Sequence, residues 1–232
     1  MKEPCRLCQR YFTNISWYLP CESSLAGYAF YHMADLKLYD IIDLEPLRRY
    51  ILTNGERRSY RRRQHFCTLS RPAQEIGLVI SGGFAFSRPD YKGDRQILSL
   101  AFTDEIIGAY ITPDFSRRSG FDITAMCDSE AAVVSLDAMT DYIDRELPGF
   151  RLQFTTAIAT SFMLRGIAYR CESPESRYLE LLRRLPHING QMSNTAIASY
   201  LGIARETFVR MRSRLNDQIR DSDQNGDTDQ SF

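Results

Sequence analysis

The sequence lacks the long apolar runs and the short motifs that mark membrane proteins and common enzymes. No run of eighteen apolar residues occurs, whereas a transmembrane helix needs about 20. There is no G-x-S-x-G nucleophile elbow, no phosphate-binding loop and no acidic pair spaced for catalysis. The three histidines, His32, His65 and His187, are dispersed, which argues against a metal-dependent β-barrel enzyme. The sequence therefore predicts a protein that is neither a membrane protein nor an enzyme.

A net charge is also missing. The chain has 29 basic and 29 acidic residues, and a balance of zero taken alone argues against nucleic-acid binding. However, the last seventeen residues contain five aspartates and one arginine, and the rest of the chain has 28 basic and 24 acidic residues. The acidic tail, 217–232, has almost nothing to bury, so we expect it to be disordered. The charge balance of the remaining chain permits binding to an anionic partner.

The first ten residues, MKEPCRLCQR, lack the apolar stretch of a signal peptide. We therefore expect a cytoplasmic protein. The six cysteines should then be reduced thiols or metal ligands rather than disulfides.

Residues Ser193–Leu215 predict two short helices separated by a glycine turn. The serine that opens this segment can cap the first helix, and Gly202 breaks the chain before the second. In the second helix, Phe208, Met211 and Leu215 recur at i, i+3 and i+7 and should face inward. The opposite face then carries arginines, which suits a helix-turn-helix that contacts base edges in the DNA major groove. A helical hairpin with a solvated basic face is the alternative.

Between residues 56 and 137 the pattern changes to short apolar runs separated by turn signals. Their spacing of about ten residues is typical of an antiparallel barrel or sandwich. Short helices are predicted on either side, at 44–52 with Asp43 as cap and at 139–146. Five arginines between 57 and 63 precede the first predicted strand, and they predict either a solvated face or a contact with DNA or RNA polymerase.

A long helix follows, with Pro148 in its first turn. Apolar and small residues along it alternate steps of four and three, which is the pattern of a seam for a partner helix. The predicted seam residues are Phe150, Phe154, Ala157, Ser161, Leu164 and Ala168. Ile158 and Phe162 are left to pack on the sheet. We therefore expect a homodimer, and burial of the seam within one chain is the alternative.

The segment IASYLGIARETFVR resembles the DNA-recognition motif of the Crp/Fnr family of bacterial transcription regulators, and the preceding β-rich stretch and long helix resemble other parts of that family. The resemblance implies an α+β fold: an N-terminal double-stranded β-helix (jelly-roll or β-roll) sensor, a long dimerisation helix, and a C-terminal helix-turn-helix domain with a reduced or absent wing. The expected divisions are a cysteine-containing extension (1–42), a cyclic-nucleotide-binding-like β-roll (43–145), the dimerisation helix (146–172), the helix-turn-helix domain (173–216) and the acidic tail (217–232).

The resemblance also implies roles for single residues. Arg205 and Glu206 match the family's base-contacting pair, and Arg210 matches its next base or phosphate contact. The predicted DNA-binding residues are Arg205, Glu206, Thr207, Arg210, Ser213 and Arg214. Ala204 departs from the family, because a serine or threonine cap usually stands there. Members of the family usually have a β-hairpin, called the wing, after the recognition helix, and only residues 216–232 remain here to form it.

An effector site is implied less clearly. Cyclic-nucleotide-binding relatives hold the phosphate with a Gly-Glu pair and an Arg-Ser pair. Gly108-Ala109 and Ser119-Gly120 stand at these positions, so the resemblance argues against cyclic AMP and favours another anion or an empty pocket. The candidate effector-pocket residues are Lys92, Gly108, Ala109, Arg117, Arg118 and Ser119.

Some members of the family hold an iron–sulfur cluster with three N-terminal cysteines and one from the β-roll. The corresponding residues here are Cys5, Cys8 and Cys21, with Cys67 or Cys127 as the fourth ligand. The Cys-x-x-Cys pair suits a cluster or zinc, but the twelve residues before Cys21 depart from the family's spacing. Cysteines with no cofactor are the other interpretation.

The sequence thus predicts a dimeric, sequence-specific DNA-binding transcription regulator with a β-roll sensor for an unidentified effector. Its expected partners are a pseudo-palindromic DNA operator, a second copy of the chain and RNA polymerase. The rival hypothesis is a ligand-binding or protein-interaction β-roll module that does not bind DNA.

Overall fold

The computed structural model describes residues 41–109 and 118–226, with side chains described as far as residue 217. Two antiparallel four-stranded sheets form the β-roll, in the orders β1-β8-β3-β6 and β2-β7-β4-β5. The strands are β1 (Glu56–Tyr60), β2 (His65–Cys67), β3 (Glu75–Ser81), β4 (Gly83–Pro89), β5 (Arg95–Phe102), β6 (Ile106–Gly108), β7 (Asp122–Ala125) and β8 (Ser129–Ser135). The predicted β-rich stretch is therefore confirmed.

The helices that the structure describes lie before and after the roll. They are α1 (Glu45–Asn54), α2 (Leu136–Glu146), α3 (Phe150–Cys171), α4 (Pro174–Arg184), α5 (Ile188–Gln191), α6 (Asn194–Leu201) and α7 (Arg205–Gly226). Within this part of the chain, no helix combines the length and apolar character that crossing a bilayer requires.

The core of the roll lies between the two sheets. Val79 and Ile107 of one sheet and Phe84 and Ile123 of the other are fully buried in one cluster. The turn from β3 to β4 needs glycine at Gly82, because its φ is +80° and a Cβ there would lie 2.3 Å from the Ser129 hydroxyl oxygen. This turn brings two consecutive strands into different sheets.

The sequence pattern missed β1, and the arginines at 57 and 58 lie on that strand rather than ahead of the sheet. Glu56–Tyr60 pairs antiparallel with β8 at the edge of its sheet. Only Tyr60 of this strand is buried, so the strand carries almost no apolar signal. Arg58 donates to Glu75 at 2.7 Å and to Glu56 at 2.9 Å.

Helix boundaries differ from the predictions by a few residues. Helix α1 begins at Glu45 after the N-cap Leu44, although the Asp43 carboxylate accepts the Glu45 N–H at 2.9 Å. Helix α2 begins three residues earlier than predicted because Ser135 caps it. Pro148 precedes α3 rather than lying in its first turn, since Gly149 at φ +80° is the N-cap.

The predicted dimer seam on α3 is wrong for most of its residues. Phe150, Phe154, Ala157 and Ala168 are at most 8% exposed within the single chain, so they have no surface left for a partner helix. The two phenylalanines pack with Ile158 in the cluster that covers the outer face of the β3-containing sheet. Ser161 and Leu164 are half-buried. Packing the large aromatic side chains against the sheet buries the most apolar area.

Phe162, which was predicted to pack on the sheet, is instead 56% exposed. The exposed side of α3 carries a second stripe with the same steps of four and three. Its members are Leu152, Thr156, Ala159, Met163, Gly166 and Arg170. This stripe is called the outer stripe below.

The expectation of disorder from residue 217 is corrected for 217–226, which continue α7 as a helix. The segment contains no proline, and once a helix is nucleated each further residue adds a hydrogen bond at low cost. Over the described residues the helix therefore runs on where a β-hairpin wing would begin. Residues 227–232 of the predicted tail and the extension 1–40 lie outside the described residues.

Candidate nucleic-acid interface

The predicted pair of helices with a glycine turn is confirmed as α6 and α7. The Ser193 hydroxyl accepts the Ala196 N–H at 3.2 Å and caps α6. Gly202 ends α6 in the left-handed conformation at φ +69°, and the Ile203 N–H donates to the Ala198 carbonyl at 3.0 Å. The left-handed residue redirects the chain so that α7 begins only three residues later.

Three apolar side chains anchor α7 in the protein. Phe208, Met211 and Leu215 are 0%, 6% and 8% exposed. The Phe208 ring meets the Tyr178 ring edge to face, with 5.0 Å between centroids, and the cluster also includes Leu201 of α6. A helix fixed along one face by this much burial presents its other face in a defined orientation.

That other face carries all six predicted DNA-binding side chains, and all six are exposed: Arg205, Glu206, Thr207, Arg210, Ser213 and Arg214. One Nη of Arg205 lies 3.7 Å from the Glu206 carboxylate, so the two groups are side by side at the start of α7. Arg214 forms an ion pair with Glu175 of α4 at 3.2 Å. Arg210 lies in the second turn of α7 and is exposed on the same face as Arg205 and Glu206.

Sequence reasoning missed the structural role of two further arginines. Arg212 donates to the Asn194 side chain at 2.7 Å and lies 5.7 Å from the Phe208 ring centre, so it joins α7 to the start of α6. Arg177 is 6% exposed, donates to the Leu201 carbonyl at 2.8 Å and lies over the Tyr169 ring at 4.5 Å. No spacing in the sequence distinguishes these arginines from those of the exposed face.

Sequence reasoning also missed the docking of α6 on the β-roll. The Ser199 hydroxyl accepts the Ile97 N–H of β5 at 2.8 Å and lies 3.3 Å from the Arg95 carbonyl. Ile97 and Leu100 share one buried cluster with Ile197 and Leu201 of α6. Helix α6 and strand β5 of the β-roll are therefore connected by both apolar and polar contacts.

The structure describes five of the six predicted effector-pocket residues. Lys92 is exposed in the β4–β5 turn. Ser119 is 2% exposed and donates to the Phe121 carbonyl, while its backbone bonds to Ser70 and Arg71. The exposed Arg118 donates to the Ser70 carbonyl at 2.9 Å.

Gly108 and Ala109 are buried, and Ala109 is 1% exposed. Arg117 lies outside the described residues. A cavity of about 340 Å³ touches Gly108, and its other walls come from β4, β5, α3, α4 and α6.

Two of the predicted metal ligands, Cys67 and Cys127, lie within the described residues. Burial raises the pKa of the Cys67 thiol, which is half-buried on β2. Cys127 is exposed in the turn between β7 and β8. Across residues 41–109 and 118–226, no three His, Cys, Asp or Glu side chains are grouped to hold a metal ion. Cys5, Cys8 and Cys21 lie outside these residues.

Comparison with solved structures relates this fold to known proteins. FixK2 from Bradyrhizobium japonicum matches with a TM-score of 0.60 at 20% identity, over 71% of this chain and 85% of FixK2. A candidate transcriptional regulator of the Crp/Fnr family from Eubacterium rectale matches with a TM-score of 0.56 at 16% identity, over 79% and 88% of the two chains. The c-di-GMP-responsive global regulator CLP from Xanthomonas campestris matches with a TM-score of 0.53 at 17% identity, over 76% and 93%.

No protein-family model and no curated protein matches the chain. The structural matches establish a Crp/Fnr-type fold, and they confirm the predicted fold class.

Proposed function

We propose that this protein is a dimeric, sequence-specific DNA-binding transcription regulator of the Crp/Fnr type, with the β-roll as its sensor. The observation that carries the proposal is α7, whose buried face is fixed by Phe208, Met211 and Leu215 while Arg205, Glu206 and Arg210 project outward. Guanine offers O6 and N7 to a bidentate arginine, and cytosine N4 donates to a carboxylate. The exposed face of α7 thus carries the groups that distinguish base pairs in the major groove.

A second copy of the chain would supply the second recognition helix for a pseudo-palindromic site. The outer stripe of α3 supports this part of the proposal. Leu152 and Met163 are 74% and 59% exposed, and Ala159 and Gly166 leave room for close approach of another helix. Contact with RNA polymerase and the binding of a small-molecule effector stay predictions.

Cyclic AMP is not the effector in this proposal. Ala109 is buried and offers no hydrogen-bonding side chain where relatives have a glutamate, and the Ser119 hydroxyl is already bonded to Phe121. A phosphate brought there without a paired guanidinium would lose its hydration without compensation. Calorimetry with cyclic AMP should therefore show no binding tighter than about millimolar.

The DNA-binding proposal is tested on a duplex selected from a random pool by the full-length protein. Arg210→Ala should weaken binding to that duplex by about 1–3 kcal/mol, because one base or phosphate contact is lost at each half-site. Arg145→Ala is the matched control, since it removes the same charge from an exposed position on α2.

Fluorescence anisotropy measures the affinity of both variants and of the parent protein for the selected duplex. Equal affinity of the Arg210 variant and the parent would show that α7 does not contact the site. Failure to retain any duplex would favour the interaction module, an alternative that is consistent with α7 running to Gly226 in place of a wing.

A further inference from the structure

Helix α7 changes the sign of its charge halfway along its length. Its first half, 205–215, contains four arginines and one glutamate, whereas its second half, 216–226, contains three aspartates and one arginine. The net charge therefore changes from +3 to −2 along one continuous helix. The second half, residues 216–226, is called the acidic extension below.

The acidic extension continues the side of α7 that carries the predicted base contacts. At about 100° per residue, Asp217 lies about 20° around the helix from Arg210 and about 10 Å further along its axis. Position 221 lies about 20° to the other side of Arg210 and about 16 Å along the axis. Asp217 is exposed, as Arg210 is. One side of α7 therefore begins with cationic residues and continues with acidic ones.

Helix stability does not account for this order of charges. The helix dipole favours acidic residues near the N-terminus and basic residues near the C-terminus. In α7 the first residue is Arg205, and the last turn contains no basic residue. The aspartates at 221 and 223 lie close to the C-terminal end, which the dipole disfavours for an anion. The order of charges therefore indicates a role outside the helix itself.

The length of α7 would bring the acidic extension close to the DNA backbone. A helix of 22 residues is about 33 Å long, whereas the major groove is about 12 Å wide and 8.5 Å deep. If the first turns of α7 contact base edges, residues two to three turns beyond Arg210 lie at the rim of the groove, beside the phosphates. The Debye length at physiological salt is about 8 Å, so carboxylates at the rim repel phosphates with incomplete screening.

We propose that the acidic extension weakens the binding of this protein to DNA in general, so that only sites with compensating base contacts retain it. Non-specific binding depends almost entirely on attraction between cationic side chains and phosphates, and repulsion at the groove rim opposes that attraction. Base contacts at a specific site add free energy that this repulsion does not remove. The inference rests on the proposed function for its biological consequence, but the repulsion itself is measured on a duplex that lacks the site.

The test variant, called the neutralised variant, replaces the three aspartates of the acidic extension in the full-length protein: Asp217→Asn, Asp221→Asn and Asp223→Asn. Fluorescence anisotropy measures its affinity for a duplex of scrambled sequence at about 0.1 M salt, where the Debye length is about 10 Å. The neutralised variant should bind about tenfold more tightly than the parent protein, because each removed charge is worth about twofold at such distances in water. Equal affinity of the two proteins would overturn the proposal.

A control variant changes the net charge by the same amount at exposed positions of α2: Asp137→Asn, Asp141→Asn and Asp144→Asn. Helix α2 packs in a different buried cluster from α7, so its charges should matter much less to DNA binding. A gain in the control as large as that in the neutralised variant would assign the effect to net charge and contradict a role for the acidic extension.

Two measurements separate repulsion from an effect on helix stability. The gain in affinity should shrink as the salt concentration rises, because salt screens the repulsion. Asp217→Asn alone should bind the scrambled duplex about twofold more tightly, whereas Asp217→Glu keeps the charge and should bind as the parent does. A gain that does not depend on salt, or that the Asp217→Glu variant shares, would contradict the proposal.

The selected duplex separates this inference from the proposed function. If the parent retains the selected duplex and the neutralised variant gains no affinity for the scrambled one, the inference fails and the proposed function stands. If the parent retains no selected duplex but the neutralised variant shows the salt-dependent gain, the proposed function fails and the repulsion stands. If neither protein binds any duplex, both fail.

Discussion

At the scale of single residues, Gly202 shows why the turn between α6 and α7 requires glycine. Its φ of +69° is unfavourable for any residue with a Cβ, and a Cβ there would lie 3.2 Å from Tyr169 of α3. The Tyr169 hydroxyl donates to the carbonyl of Tyr200, two residues before this glycine. The glycine therefore fixes both the turn and its contact with the long helix.

Gly202→Ala should lower the free energy of unfolding by about 1–2 kcal/mol, the cost of a left-handed residue with a Cβ. Gly190→Ala is the control, because φ there is not positive and a Cβ would meet no atom within 4 Å. Urea unfolding followed by circular dichroism compares the two variants. Equal stability of both would mean that the turn relaxes without strain.

Cys67 and Cys127 should differ in reactivity. Burial raises the pKa of the Cys67 thiol, so at pH 8 a smaller fraction of it is thiolate than of a thiol with the ordinary pKa. Cys127, in contrast, is exposed in a turn. Because the pKa is raised, the alkylation rate of Cys67 should still be rising at pH values above the ordinary thiol pKa. Iodoacetamide labelling with peptide mass spectrometry should find Cys67 slower in the native protein and comparable with Cys127 in urea. Equal native rates would contradict the burial of Cys67.

At the scale of elements, α3 carries two stripes with the same spacing, and packing decides which one is free. The stripe that contains Phe150 and Phe154 covers the sheet, and the outer stripe with Leu152 and Met163 remains exposed. An exposed apolar stripe on a long helix favours association with a second copy. In the proposed dimer, the helix that joins the β-roll to the C-terminal helices would then also join the two subunits.

Met163→Arg should convert the proposed dimer to a monomer, because it would place two unpaired charges at the proposed helix contact. Gln153→Arg is the control, since residue 153 is exposed but lies about 100° around the helix from Leu152. Sedimentation velocity measures the outcome. A Met163 variant that stays dimeric would exclude the outer stripe as the subunit contact.

At the scale of the whole described molecule, one buried cluster runs from strands β4 and β5 of the β-roll into the C-terminal helices. Ile97 and Leu100 of β5 belong to it together with Leu181, Ile197 and Phe208 of the C-terminal helices. The Ser199 hydroxyl adds polar contacts to the β5 backbone at the same place. A change in the sheet can therefore alter the position of the helix-turn-helix through direct contacts.

This shared cluster predicts that the two regions unfold together. In urea, hydrogen exchange of peptides from β3 and from α6 should report the same midpoint. Ser199→Ala should lower both midpoints, because the Ile97 N–H loses its acceptor, at a cost of about 1–3 kcal/mol. Ser213→Ala, at an exposed hydroxyl of α7, is the control. Separate midpoints for the two peptides would show that the regions fold independently.

Local patterns in the sequence determined the elements and the candidate interface. Ser193, Gly202 and the spacing of Phe208, Met211 and Leu215 specify the two helices and the outward face of α7, because capping, left-handed turns and helical periodicity involve residues close in the chain. The apolar runs likewise predicted most strands, whereas the edge strand β1 lacked the alternation that would mark it.

Only the tertiary structure decided which of two equivalent stripes on α3 is free, and that α6 docks on β5 through Ser199. It also distinguished Arg210, which is exposed, from Arg177 and Arg212, which join neighbouring helices. A heptad spacing or an arginine looks the same in the sequence whether it faces solvent or another element. The choice depends on contacts between residues far apart in the chain, and such contacts exist only once the sheets and helices have packed.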